Sequence, residues 1–347
     1  MELDFYPLLG GPILSVDLHE DQYQAGAQGR VYRASVGSDS GLCVKALPGL
    51  TPGSAAPEVM ALAQLRRHVE QSATTSGFPQ PVKRSLQTIL SRLPTHTTFA
   101  FFGEGGMHFL ILRRFVEGRS LQQLTVPNRP IPPLEHRYIL ARKLAGNLTS
   151  LQMQGCVHLD PYPDNVLIQG EGLGSEIAMI DLEGVGTLER GSDGSINWKH
   201  DSFATIPTSY GKPGVWTLPP WYPQPVSATM PRPRPIQESY LAASTWQMLS
   251  ILTFVLTWGF KPLTWLEPRA FQIIARAACD RLAAIEPIRL ASRQHNTRRM
   301  DDFAARLGGN RALLEQFTAW FENALVNPRA SPRAKDIQDF MAMWCRQ

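Results

Sequence analysis

His158-Leu159-Asp160-Pro161-Tyr162-Pro163-Asp164-Asn165-Val166-Leu167-Ile168 is a polar, proline-stiffened loop that runs directly into a short apolar strand. Asp160 and Asn165 stand five residues apart on it, so an acid and an amide can face one small volume. Sixteen residues after Asn165 a second apolar run ends in Asp181, within Ala178-Met179-Ile180-Asp181-Leu182-Glu183-Gly184. Phosphoryl transfer asks for such a set. One carboxylate orients or deprotonates an attacking hydroxyl, while a neutral oxygen ligand and a second carboxylate hold Mg²⁺ against the phosphates. Either piece taken alone also reads as a helix cap or a turn.

Working outward, residues 20–47 read as strands around a Gly-containing turn, closing on the run Leu42 to Leu47. Pro57 opens a helical pattern that should reach about Glu70. Phe99–Phe102 and Met107–Leu112 read as a hairpin around Gly103-Glu104-Gly105-Gly106. The spacing predicts a helix from Leu134 to Met153, then short strands around Cys156–His158, Val166–Ile168 and Ile177–Ile180. Residues 207–235 hold nine prolines, too many for a helix or a central strand, and read as a long surface segment. From Ser239 onward the pattern is helical. Strands with one helix, followed by a mostly helical half, predict an α+β protein.

These pieces resemble the HxDxxxxN catalytic loop and the metal-binding DFG of protein kinases and their small-molecule relatives. Gln24-Ala25-Gly26-Ala27-Gln28-Gly29-Arg30-Val31-Tyr32-Arg33-Ala34 is similar to the family's Gly-rich loop, with Gln24 at the first glycine. Leu42-Cys43-Val44-Lys45 looks like its VAIK strand, and Glu58 opens a helix like the one whose Glu pairs with that Lys, with Glu70 as the fallback. Arg114-Phe115-Val116-Glu117-Gly118-Arg119 resembles the hinge. The resemblance implies a bilobal fold: an N-lobe over 1–113, a hinge over 114–119, and a C-lobe over 120–347 with a long Pro-rich activation-type segment at 182–238. It also implies roles. Gly26, Gly29 and Val31 would cradle the nucleotide, Lys45 would hold the α and β phosphates, and Glu58 would orient Lys45. The backbone of Arg114 and Val116 would meet the adenine edge. Asp160 would act on the acceptor hydroxyl, and Asn165 and Asp181 would hold Mg²⁺, with ATP as the phosphate donor.

Departures from the family pattern narrow the expectation. Leu159 replaces the Arg of HRD, so activation by a phosphorylated segment is not expected. Tyr162 stands where serine/threonine kinases place a Lys that contacts the γ-phosphate. Glu183 is either a further metal ligand or solvent-facing. Val226 and Ser331 stand where the family carries a buried Glu–Arg pair, and loss of both partners together is tolerable where loss of one is not. Phosphorylation of Ser/Thr hydroxyls of proteins is the leading expectation. A nucleotide-binding pseudokinase or scaffold, and a kinase for a small hydroxylated molecule, are the alternatives.

Composition bounds the rest. With 347 residues, 43% hydrophobic and 18% charged, the chain can bury a sizeable core and exceeds the usual size of one domain. Its net charge of +4 comes from 34 basic and 30 acidic residues, too small and scattered for a nucleic-acid footprint; the resemblance to kinases implies a protein substrate or binding partner. The four cysteines lie far apart without a CxxC pair, which fits a reducing cytoplasm rather than a disulfide framework. Met1 to Val16 carries acids where a secretion leader wants bases. Tyr240 to Phe260 has no charged residue and is long enough to span a bilayer. Its recurring Ser, Thr and Gln favour a buried C-lobe helix, where Ser244 or Thr245 replaces the family's Asp.

Overall fold

The computed structural model describes residues 1–7, 12–26, 29–48, 98–102, 108–126, 129–153, 156–158, 161–180, 185–190, 196–198, 237–279, 285–327 and 330–344. They form a mixture of antiparallel sheet and helix, compatible with an α+β class. Contacts divide the chain into two compact units, one running from Met1 to Glu117 and the other beginning at Gly118.

The first unit is a closed antiparallel barrel. Its strands are β1 (Glu2–Pro7), β2 (Leu14–Gly26), β3 (Gly29–Val36), β4 (Asp39–Pro48), β5 (Thr98–Phe102) and β6 (His108–Arg114), in the order β1-β2-β3-β4-β6-β5. The expected hairpin over 99–112 is present, with Phe99 opposite Ile111. The first strands, however, start well before residue 20, and the N-terminal segment forms a strand of its own. β1 closes the barrel because it pairs on both sides, Phe5 with Leu14 of β2 and Tyr6 with Phe99 of β5. Phe5 is fully buried with Val16, Leu18, Ala34, Leu42, Val44 and Ala46. Side chains alternate across a strand, so Leu42, Val44 and Ala46 fill the barrel while Cys43 and Lys45 take the other face of β4. The expected Pro57–Glu70 helix, residues 71–97 and the Gly103–Gly106 turn lie outside the described residues.

The second unit begins with β7 (Arg119–Ser120) and the short helix α1 (Leu121–Leu124), followed by α2 (Leu134–Met153), whose bounds match the sequence expectation. β8 (Cys156–His158), β9 (Val166–Gln169) and β10 (Glu176–Met179) follow. One small sheet has the order β10-β9-β7. The other places β11 (Val185–Arg190) between β8 and β12 (Ile196–Trp198). The stretch that the resemblance assigned to an activation-type segment over 182–238 contains two strands, and Val185, Gly186 and Thr187 find backbone partners in His158, Val157 and Cys156. Its proline-rich part, 199–236, lies outside the described residues.

Helices α3 (Gln237–Thr257), α4 (Pro268–Cys279), α5 (Ile285–Ala291), α6 (Thr297–Arg306), α7 (Arg311–Val326) and α8 (Ala334–Trp344) complete this unit. α3 holds the uncharged stretch. No helix among the described residues is long and apolar enough to cross a membrane. Trp246, Leu249, Ile251, Leu252 and Val255 are buried, and so are Gln247, Ser250, Thr253 and Thr257. The hydroxyls tolerate burial because each donates to a carbonyl one turn earlier: Ser250 to Trp246 at 2.9 Å, Thr253 to Leu249 at 2.8 Å and Thr257 to Thr253 at 2.6 Å. Trp246 packs edge-on against Phe321 at 4.9 Å, and Trp265 stacks on Phe303 at 5.1 Å. Arg137, buried on α2, donates to the carbonyls of Leu256 and Arg306, at the C-terminal ends of α3 and α6.

Candidate functional site

In the barrel, β2 and β3 form the hairpin expected at the Gly-rich stretch. Gly26 and Gly29 are its last paired residues, and Gln24 sits opposite Val31. Ala27 and Gln28 lie outside the described residues. Val31 is also directly opposite Lys45 on β4, and directly opposed residues share a face. Lys45 is only 6% exposed, uncommon for a lysine. Arg114 ends β6 opposite Leu42, and the N–H of Phe115 donates to the carbonyl of Gly41 at 2.9 Å, so the chain entering Val116 is tied to β4. Arg33 lies 3.3 Å over the Phe115 ring and bonds Glu117 at 3.1 Å, fixing the strand exit further. Glu58 and its fallback Glu70 lie outside the described residues.

In the second unit the polar loop is held at both of its flanking strands. His158, two residues before Asp160, is 1% exposed and its backbone pairs with Val185. Pro163–Asn165 forms one 3₁₀ turn, with Asn165 N–H donating to the Tyr162 carbonyl at 2.8 Å; proline at the first position suits it, having no N–H to leave unpaired. The Asn165 carboxamide is on a buried residue. Its backbone carbonyl accepts from Ile180 N–H at 2.9 Å, extending the register in which Val166 opposes Met179. Asn165 is therefore joined to the residue that precedes Asp181. Leu159, Asp160, Asp181 and Glu183 lie outside the described residues.

One support went unassigned in the sequence. Ser120 and Gln123 form a reciprocal capping box at the start of α1, and Ser120 Oγ also donates to Asp164 Oδ1 at 3.2 Å. The Ser120-Leu121-Gln122-Gln123 spacing was the available signal for the cap, but nothing local pointed to Asp164. On α3, Ser244 accepts a hydrogen bond from Gln152 of α2 at 2.9 Å. Ser244, one of the two residues expected to stand for the Asp of the kinase pattern, thus ties two helices with an uncharged bond.

Chemically, the second unit presents a buried carboxamide at the point where two strands meet the sequence of a carboxylate. The barrel presents a buried cation on the strand next to a glycine-flanked hairpin. No family model matches the chain. The chain is 31% identical over 109 residues to the serine/threonine-protein kinase pkn2 of Myxococcus xanthus, a match covering 31% of this chain and 13% of that protein. It is 30% identical over 86 residues to the serine/threonine-protein kinase PknL of Mycobacterium tuberculosis and of Mycobacterium bovis, covering 24% of this chain and 21% of those proteins. These matches span about an eighth to a fifth of the relatives' lengths. The chain bears a partial, kinase-like similarity.

Proposed function

We propose that the protein is an ATP- and Mg²⁺-dependent phosphotransferase acting on serine or threonine hydroxyls of protein substrates. The observation that carries this reading is the 2.9 Å bond between Ile180 N–H and the Asn165 carbonyl. It joins the backbone of Asn165 to the residue that precedes Asp181 in sequence, which supports a cation held by the oxygens of those two side chains.

Asn165 and Asp181 offer hard oxygen donors that fit Mg²⁺, which bound there would supply charge neutralisation for phosphate oxygens. Asp160 orients the acceptor hydroxyl and takes its proton. Lys45 holds the α and β phosphates and Glu58 orients it. The backbone amides around Gly26 and Gly29, with Val31 beneath, cover the nucleotide, and the Arg114–Val116 backbone meets its adenine edge.

A second reading, a nucleotide-binding scaffold with little transfer activity, is favoured by Tyr162, half-buried where serine/threonine kinases carry a phosphate-contacting Lys. One experiment separates the two. Thermal stabilisation by Mg·ATP is measured beside phosphate incorporation into protein acceptors for wild type, Lys45→Met, Asp160→Asn and Asp181→Asn. Lys45→Met and Asp181→Asn should lose the ATP shift, because a ligand stabilises only the state that binds it. Asp160→Asn should keep the shift and lose transfer. A wild-type shift without incorporation selects the scaffold, and no shift at all refutes both readings.

A further inference from the structure

The second unit carries an open cavity of about 540 Å³ whose charge none of the proposed chemistry uses. Its lining includes the cations Arg129, Lys261, Arg299 and Arg306 and, among the described residues, not one carboxylate. The lining also includes Val126 and Ile131, 42% and 45% exposed, with Phe260 and Trp258. The four cations come from the segment after α1, the turn after α3 and both ends of α6, so the tertiary fold alone brings them together.

The cavity wall is rigid where it matters. Trp258 (φ 55°) and Gly259 (φ 114°) bend the chain sharply out of α3. A tryptophan in the left-handed region persists only where neighbours hold it, and three bonds do so. Trp258 N–H reaches Val255 O at 3.3 Å, Gly259 N–H reaches Phe254 O at 3.0 Å and Phe260 N–H reaches Thr257 Oγ1 at 3.2 Å. Two of the guanidiniums are anchored as well. Arg299 Nη1 donates to Thr264 O at 3.2 Å, and Arg306 Nη1 to Thr257 O at 3.3 Å. A guanidinium has five N–H donors, so each keeps most of them for a ligand. The indole N–H of Trp258 is buried without an acceptor among the described residues.

We infer that this cavity is a docking site for an acidic segment of a partner protein that inserts an aliphatic or aromatic side chain among Val126, Ile131 and Phe260. Charge complementarity identifies the occupant. Unopposed cations around an apolar floor recognise carboxylates flanking a hydrophobic anchor, whereas a small inorganic anion would leave the apolar floor uncovered. Both halves are needed: the charges fix register and hasten encounter, and the anchor supplies buried area. Docking here does not rest on the phosphotransfer reading, since it needs neither Lys45 nor Asp160.

The test uses the full chain without nucleotide and a fluorescent decapeptide of Asp and Glu carrying one Leu and one Phe. Two control peptides replace the Leu and Phe by Ser, or the acids by Lys. Fluorescence anisotropy should show saturable binding of the first peptide, weakening with salt as expected of exposed charges. The Ser control should bind about tenfold more weakly or worse, and the Lys control not at all. Arg129→Glu with Lys261→Glu, both at exposed positions, should weaken binding by at least about tenfold while leaving the melting temperature unchanged. Val126→Asp does the same from the apolar side and guards against a variant that fails to fold. Binding unchanged in both variants overturns the proposal. So does equal binding of the two acidic peptides, or equal competition by pyrophosphate or single-stranded RNA, which would make the cavity a general anion site.

Discussion

Replacing Arg137 by Met tests whether the second unit is pinned through one buried cation. Arg137 is 6% exposed and donates to the carbonyls of Pro132 at 3.2 Å, Arg306 at 2.7 Å and Leu256. Two of these acceptors terminate α3 and α6, whose last carbonyls have no partner within their own helix. Burial, and after it the nearby Arg306, pushes the Arg137 guanidinium down from its ordinary range, without removing its charge at neutral pH. Hydrogen bonds to a charged group contribute about 1.5–3 kcal/mol each, and the desolvation of the guanidinium offsets part of their sum. Methionine fills the aliphatic volume but leaves the helix-end carbonyls unpaired, so the net loss should be about 3–5 kcal/mol, the usual result of removing one partner from a buried charged network. Urea unfolding followed by far-UV circular dichroism reads it as a lower midpoint at an unchanged slope. Arg137→Lys, which keeps the charge but cannot span three acceptors, should fall between Met and wild type. A loss below about 1 kcal/mol for Met would refute the pinning role, since that is within the range of an ordinary single hydrogen bond.

Other perturbations probe different links. His295 Nε2 lies 2.8 Å from Glu322 Oε1, and the pull of that carboxylate outweighs burial in raising the His295 pKa. A raised folded-state value stabilises below the unfolded value of about 6.5 and is lost as pH climbs through the folded one, so unfolding midpoints should fall on going from pH 6 toward 8 and the slope should flatten in His295→Gln. Gly118 sits at φ 142°, where an added Cβ would approach the Ile168 carbonyl to 3.0 Å and Leu167 Cβ to 3.2 Å. Gly118→Ala should cost about 1–3 kcal/mol by differential scanning calorimetry, and an unchanged melting temperature would mean the β7–β9 contact yields freely. If transfer activity is present, Leu159 offers no cation to a phosphate on Thr205, Thr208, Ser209 or Thr217. Phosphatase treatment should therefore leave the rate within about tenfold; a larger fall would show that another basic residue holds the segment.

Local patterning was enough for several elements. The 3.6-residue period over 134–153 and the apolar runs flanking the polar loop report backbone geometry that neighbouring residues decide among themselves. The α2 bounds, the β5–β6 hairpin, and the strands around 156–158, 166–169 and 176–179 were accordingly legible from the chain, as was Asn165 at the loop's exit. The order of kinase-like pieces needed no coordinates either, because each motif is contiguous.

Contacts between distant residues were not legible, since they depend on register and closure rather than on period. β1 closes the barrel by meeting strands separated from each other by more than seventy residues, and a two-residue alternation cannot say which strands will meet. Tyr240 to Phe260 carried a composition equally suited to lipid or to a protein core. Hydroxyl bonds within α3, and the helices and aromatic rings packed on it, decided for the core. Arg137 read as one more helical cation until α3 and α6 brought their carbonyl ends to it. The cavity between Arg129, Lys261, Arg299 and Arg306 has no sequence signature, because a surface field sums charges by distance in space and not by separation along the chain.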